Sequence, residues 1–203
     1  MIRYSLLLLI GLLACSRTTA GETPLQQLQA RLVPAPLSRG NFEQSKQISF
    51  LPAPLVSTGR FVQLQGQGLY WVVEQPLSSE LRIRDGQIQE RLGGADANWS
   101  APLLGEAGSS VAARILSGLL AADLLVLDEY FQSELALAED GWVLELQPRN
   151  ANVAQVFGQI QVQGDSRVQA LQWQNQQGEV TRIQLHYLPP AELSDGERQV
   201  LLD

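Results

Sequence analysis

The stretch that decides the fold runs from Phe42 to Gly86 and consists of short apolar segments separated by Gly and Pro. The segments read Phe42-Glu43-Gln44-Ser45-Lys46, Leu55-Val56-Ser57-Thr58-Gly59-Arg60-Phe61-Val62, Leu69-Tyr70-Trp71-Val72-Val73-Glu74-Gln75-Pro76 and Leu81-Arg82-Ile83-Arg84-Asp85-Gly86. Near-alternation of apolar and polar side chains is typical of strands with one face in a core. Asp85-Gly86 is a strong hairpin signal. The stretch therefore predicts consecutive antiparallel strands, and because no residue in it is suited to catalysis, its contribution to function is its shape.

The composition is that of a globular protein. Of the 203 residues, 45% are hydrophobic and 17% are charged, and the net charge is -7. A nucleic-acid-binding protein needs a basic stripe that neutralises phosphates, whereas the arginines here are scattered among acidic residues. The sequence therefore predicts no nucleic-acid partner.

Cysteine and histidine each occur once, as Cys15 and His186. A disulfide within the chain, a multi-histidine metal site and a histidine-dependent catalytic triad are therefore not expected. We accordingly predict a protein that is not an enzyme and needs neither a cofactor nor a metal.

The amino terminus has the features of an export signal. Arg3 supplies a positive charge ahead of an apolar run that is too short to span a bilayer as a mature helix. One interpretation is removal of residues 1–20 by ordinary cleavage after Ala20. The other is that Leu12-Leu13-Ala14-Cys15 resembles the lipobox of bacterial lipoproteins, so that 1–14 are removed and Cys15 is lipidated. Both predict export across the inner membrane, and the second also predicts a lipid anchor at Cys15.

Two helices are predicted outside the strands. Thr23-Pro24 is an N-cap followed by proline, and leucines at helical spacing follow it. The second helix covers residues 109–123 behind a serine cap. It is apolar over most of its circumference, so it is buried or covers a cavity.

Further strands are predicted at residues 133–138, 142–148, 155–163, 168–175 and 180–188, with a turn at 149–152 between the second and the third of them. Residues 194–202 are predicted as either a short helix or an added strand. An open antiparallel sheet of about ten strands curls. We therefore expect residues 21–203 to form one mainly β domain of the α+β class, in which a curved antiparallel sheet makes an incomplete barrel closed by helices.

Residues 42–86 also resemble a known family. The resemblance rests on Phe42-x-Gln44, Ser57-Thr58-Gly59-Arg60-Phe61, Tyr70-Trp71 ahead of Gln75-Pro76, and Asp85-Gly86. This order is similar to that of the LolA family, within the LolA/LolB superfamily of periplasmic outer-membrane lipoprotein carriers. The resemblance implies a helical lid over an apolar cavity that holds lipoprotein acyl chains or other lipids. It also implies an inner-membrane donor and an outer-membrane acceptor as partner proteins, and no catalysis. Together with the export signal, it implies the periplasm of a Gram-negative bacterium, with an anchor in the outer membrane if Cys15 is lipidated.

The predicted lipid-binding residues lie on the sheet wall and on the lid. They are Leu69, Trp71, Val73, Leu81 and Ile83 on the strands, with Val111, Ile115, Leu119 and Leu120 on the second helix. The alternative for each is ordinary core packing. In the main carriers an Arg-Pro pair on the strand before the tryptophan helps to latch the lid, and Gln65-Gly66 stands at that place here.

Three functions remain open from the sequence. The first is a periplasmic carrier of acyl chains, and the second is a membrane-anchored acceptor of the LolB kind, which requires lipidation of Cys15. The third is an envelope assembly module with a packed core.

Overall fold

The computed structural model describes residues 21–94, 97–101 and 106–202, and the side chains of 106–113 and 156 lie outside the description. The helices are α1 (Pro24–Gln29), α2 (Glu106–Ala121), α3 (Ala151–Val156) and α4 (Asp195–Leu202), with a short 3-10 turn at Leu125–Leu127. The strands are β1 (Leu37–Gln47), β2 (Leu55–Leu64), β3 (Gly68–Gln75), β4 (Ser79–Arg84), β5 (Gln87–Leu92), β6 (Phe131–Leu137), β7 (Trp142–Pro148), β8 (Ile160–Gly164), β9 (Val168–Gln174) and β10 (Val180–Tyr187). The predicted export signal, including Cys15, falls outside the described residues.

All ten strands form one antiparallel sheet in the order β5-β4-β3-β2-β1-β10-β9-β8-β7-β6. The chain runs outward from β1 to the β5 edge, crosses to the β6 edge and returns strand by strand to β10. There β10 pairs with β1, from Gly40 opposite Tyr187 to Gln47 opposite Val180. The sheet is curved and unclosed, which confirms the predicted α+β incomplete barrel.

The two faces of the sheet pack against different helices. The inner face carries the main core with α1 and α2, where residues such as Leu69, Leu144 and Ile160 are at most 1% exposed. The outer face carries a smaller cluster in which Tyr70 and Val72 pack with Leu201 of α4. Because side chains alternate along a strand, β3 serves both faces.

The predicted start of α1 is confirmed. The Thr23 hydroxyl accepts a hydrogen bond from the Gln26 N–H, and the Gln26 side chain accepts one from the Thr23 N–H. This reciprocal capping satisfies two backbone donors that the first turn would leave unpaired. Leu25 and Leu28 then lie on the buried face.

Two predictions about elements are wrong. Residues 149–152 were predicted as a turn and 155–163 as a strand, but α3 occupies 151–156 and β8 begins only at Ile160. The Asn150 side chain caps α3 by accepting from the Val153 N–H at 3.0 Å, and Val153 is buried. In addition, α2 begins at Glu106, ahead of the serine cap predicted at 109.

Candidate functional site

A cavity of about 190 Å³ lies between α2 and the inner face of the sheet. All but one of its lining side chains are aliphatic or aromatic, and the exception is an amide. They are Gln44, Trp71, Leu81, Ile115, Leu116, Phe157, Ile160, Leu171, Trp173 and Ile183. Such a surface offers a ligand apolar contacts but scarcely any hydrogen bonds, so it suits an apolar group.

Aromatic rings form two parts of the cavity wall. Trp71 of β3 stacks on Phe42 of β1, with ring centroids 3.8 Å apart. Phe157, which follows α3, packs at 5.6 Å against Trp173 of β9. The two parts belong to opposite halves of the sheet, and the β1–β10 pairing brings them together.

The residues predicted from the sequence occupy three kinds of position. Trp71, Leu81 and Ile115 line the cavity. Leu69, Leu119 and Leu120 are buried in the inner core, Val73 is half-buried against it, and Ile83 lines a neighbouring cleft. The side chain of Val111 lies outside the described residues. Their role as lipid-binding residues therefore stays a prediction, with the first three best placed for it.

Sequence reasoning missed the part of the cavity that comes from the second half of the sheet. Leu171 and Trp173 alternate with outward-facing glutamines on β9, and Ile183 lies between the exposed Arg182 and Gln184 on β10. Period-two alternation therefore identifies an apolar face there. It does not reveal that this face meets α2. Phe157 was missed because it was assigned to a strand.

A second cleft, of about 480 Å³, lies where the β2–β3 and β4–β5 turns approach the carboxyl half of α2. Gln63 of β2 and Ser117 of α2 both line it. Gln63 is 3% exposed, and among the described residues its Oε1 has no hydrogen-bond partner. Gln65, which stands at the place of the family arginine, is exposed in the turn after β2.

Arg60 does not replace that arginine, because it lies on the outer face. It pairs there with Glu74 at 3.2 Å and lies 3.6 Å from Glu197 of α4. A cation that could latch α2 from β2 is therefore not found at either position. Instead, Arg114 of α2 donates a hydrogen bond to the Tyr130 hydroxyl at 2.9 Å.

Among the side chains that the structure describes, no titratable group lines the cavity. Tyr187, which packs against the inner core, has its pKa raised to about 12 by burial, with a smaller opposing effect from the Arg167 charge. Among the described residues, no three His, Cys, Asp or Glu side chains come together as ligands for a metal ion. Within the same residues, no helix combines the length and apolar character needed to cross a membrane.

Comparison with known proteins gives one family match. The model of a family described as "Outer membrane lipoprotein carrier protein LolA-like" matches residues 17–188. No curated protein sequence matches the chain.

Several solved structures are similar in fold. A LolA superfamily protein from Nitrosomonas europaea has 9% identity and a TM-score of 0.45, over 87% of this chain and 97% of that one. A DUF1329 family protein from Desulfovibrio piger has 14% identity and a TM-score of 0.48, over 89% and 100%. MucB, solved in a MucA/MucB complex from Pseudomonas aeruginosa, has 16% identity and a TM-score of 0.44, over 79% and 54%.

Proposed function

Because the family model covers residues 17–188, the chain belongs to the LolA-like family of outer membrane lipoprotein carrier proteins, and we propose that it carries acyl chains in the inner-face cavity. The cargo would be the acyl chains of lipoproteins or of related lipids, moved through the periplasm toward the outer membrane. The observation that carries the proposal is the cavity itself, which is lined by aliphatic and aromatic side chains and covered by α2.

The proposed partners follow from that role. A carrier takes its cargo from an inner-membrane donor and delivers it to an outer-membrane acceptor, and it needs no catalytic group. Residues 21–203 would act as a single domain. The anchored alternative depends on lipidation of Cys15 and stays a prediction from the sequence.

The positions of the four tryptophans give a direct test of the proposal. Trp71 and Trp173 line the cavity, whereas Trp99 and Trp142 do not. A brominated long-chain fatty acid quenches indole fluorescence only on close approach. We expect saturable quenching in the Trp99→Phe/Trp142→Phe variant, which keeps the two tryptophans of the cavity. We expect little quenching in the Trp71→Phe/Trp173→Phe variant, which lacks them. Equal quenching in the two variants would count against the cavity.

A charge placed in the lining supplies an independent control. Leu116→Glu puts a carboxylate among apolar side chains, and the cost of desolvating it should weaken fatty-acid binding by about tenfold or more. Leu125→Glu makes the same substitution at a side chain that is 48% exposed and outside the cavity. It should leave binding unchanged, and equal losses in the two variants would contradict the proposal.

A further inference from the structure

The second cleft, between the β2–β3 and β4–β5 turns and the carboxyl half of α2, is lined by residues whose polar atoms the fold leaves unpaired. In the described part of the chain, three buried side-chain polar atoms have no hydrogen-bond partner. Two of them, Gln63 Oε1 and Arg84 Nη1, belong to residues that line this cleft. Buried polar atoms are otherwise almost always paired, so such a pair points to a partner that the protein itself does not supply.

Gln63 is the stronger of the two observations. It is 3% exposed, and its neighbours in the strand pairing, Leu69 on β3 and then Ile83 on β4, are buried apolar residues. Its Nε2 donates to the Leu64 carbonyl oxygen at 3.3 Å, but its Oε1 accepts no hydrogen bond from the described residues. Leucine has a similar volume and would fill this position without an unpaired atom, so packing alone does not explain the glutamine. The last torsion of a glutamine has a broad minimum, so rotation of the amide can turn its oxygen toward the cleft.

The charges around the cleft do not favour an anion. The charged residues of the lining are two arginines and three acidic residues, namely Arg84, Arg114, Asp85, Asp123 and Glu129. Arg84 lies 3.7 Å from Asp85, and Arg114 lies 3.9 Å from Glu129. The described lining therefore has one carboxylate in excess, and a phosphate or carboxylate ligand would meet net repulsion. An uncharged group that both donates and accepts hydrogen bonds fits the two unpaired atoms better.

The cleft adjoins the apolar cavity along both β4 and α2. Leu81 lines the cavity, and Ile83, the next inward-facing residue of β4, lines the cleft. On α2, Leu116 lines the cavity and the following residue, Ser117, lines the cleft. Alternate residues of a strand are only roughly 7 Å apart. A single molecule with an apolar chain and a polar end can therefore occupy both spaces.

We propose that the cleft holds the polar head of the cargo while the acyl chain occupies the cavity, and that this head is uncharged and donates a hydrogen bond to Gln63. The donor is a hydroxyl, as in a glyceryl ester, or an amide N–H. The inference rests on the proposed carrier function and adds the class of cargo to it. That class is an acyl chain on an uncharged, hydrogen-bonding head, bound in preference to a free fatty acid or an anionic phospholipid.

The test compares three uncharged compounds that share one decanoyl chain, by isothermal titration calorimetry. Monodecanoylglycerol carries hydroxyl donors, N-methyldecanamide carries an amide N–H, and methyl decanoate carries no donor. Each affinity is expressed relative to that of methyl decanoate, so that the contribution of the chain cancels. In Gln63→Leu, the relative affinity of the glyceryl ester, of the amide or of both should fall by about tenfold or more, because a hydrogen bond to a buried acceptor is lost.

A matched control and a second readout separate this role from a structural one. Gln161→Leu makes the same substitution at an exposed glutamine of β8, outside the cleft, and should keep the wild-type relative affinities. Gln63→Leu should melt at or above the wild-type temperature, because leucine removes a buried acceptor that has no partner. A glutamine that only supports the fold would give a lower melting temperature instead.

The outcomes distinguish this inference from the carrier function. A Gln63-dependent preference for the glyceryl ester identifies a hydroxyl head, and one for the amide identifies an amide head. If all three compounds bind but Gln63→Leu leaves their relative affinities unchanged, the carrier function stands and the inference is overturned, with water alone in the cleft. If none of the three binds, both fail. A lower melting temperature with an equal loss of all three compounds also overturns the inference, because Gln63 then supports the fold and not the head.

Discussion

Gly59 shows at the scale of one residue how the sequence shapes the cavity wall. The pairing of β2 with β3 shifts register between Thr58 and Gly59. A Cβ at Gly59 would overlap the Val72 carbonyl oxygen and approach the Phe42 ring at 2.8 Å. Since Phe42 stacks on Trp71, a glycine at this point lets the aromatic wall close.

Replacement of Gly59 by Ala should therefore lower the free energy of unfolding by about 1–3 kcal/mol, the usual cost of overpacking. Urea denaturation followed by circular dichroism measures the loss. Gly196→Ala is the control, because its Cβ has open space and alanine favours a helix by roughly 0.5–1 kcal/mol over glycine. If Gly59→Ala unfolds at the same urea concentration as the wild type, the strands accommodate the added methyl group without loss of stability.

Gly59 belongs to a pattern that is recognisable in the sequence, but the sequence does not reveal why a glycine is needed there. The clash involves Val72, which is opposite Arg60 in the register of β2 and β3. Only the paired strands reveal which atoms a side chain at 59 would meet. Single residues are thus predictable as turn or strand residues, whereas their packing partners are not.

Elements were predicted well where periodicity is strong. The bounds of β7 match the predicted strand 142–148, and those of β9 and β10 differ by one residue from the predicted 168–175 and 180–188. The prediction from alternation was wrong at α3, because this six-residue helix is too short to show a helical period in its sequence. Asn150 was the available signal for the start of α3. It was interpreted as part of a turn because asparagine favours both turns and helix N-caps.

The helix α4 depends on one carboxylate for its position. Glu197 accepts from the Ser194 N–H at 2.8 Å and from Arg39 at 2.7 Å, while Val200 and Leu201 are buried against the outer face. Burial acts to raise the pKa of Glu197. The backbone and hydroxyl bonds from Ser194, together with the Arg39 charge, outweigh burial and lower that pKa below its ordinary value.

A carboxyl group whose pKa is lower in the folded state stabilises the fold above its unfolded pKa and loses this effect as the pH falls through the folded value. Wild-type stability should therefore decline below about pH 4.5, the ordinary glutamate value. Glu197→Gln should cost about 1–3 kcal/mol at pH 7 and make the decline with acid shallower. Thermal unfolding between pH 7 and pH 3 measures both effects.

Glu192→Gln is the control for this prediction, because Glu192 is 95% exposed and its contact with Arg198 is a surface ion pair. It should leave both the stability and its pH dependence unchanged. If the stability of Glu197→Gln falls with decreasing pH as steeply as that of the wild type, then α4 is held by its apolar contacts alone.

At the scale of the whole molecule, the path of the chain explains why α2 covers the cavity. The first half of the sheet ends at the β5 edge and the second begins at the β6 edge, so the connection must cross the sheet. An apolar α2 makes that crossing along the inner face. Sequence periodicity predicted the strands and the apolar helix. It could not predict the β1–β10 pairing, because those partners are far apart in the chain.

The size of the cavity then constrains how a carrier would work. At about 190 Å³ it exceeds the roughly 150 Å³ cavity that holds benzene but falls below the roughly 300–1,000 Å³ typical of small-molecule sites. Full burial of a sixteen-carbon chain is worth at most about 12 kcal/mol, at roughly 0.8 kcal/mol per methylene. To gain this, a carrier would have to displace α2, and the apolar face of α2 would refill the space when the cargo leaves.

Displacement of α2 should appear as a dependence on chain length. Fatty acids from eight to sixteen carbons should bind progressively more tightly, and only the longer ones should expose Leu119 of α2, which is 2% exposed. In a Cys15→Ser background, Leu119→Cys should therefore react faster with a maleimide in the presence of hexadecanoic acid than of octanoic acid. Leu28→Cys in α1, fully buried outside α2, is the control and should stay unreactive with both. If affinity levels off at eight carbons and Leu119→Cys stays protected, then α2 is a fixed part of the core and the cavity accepts only short apolar groups.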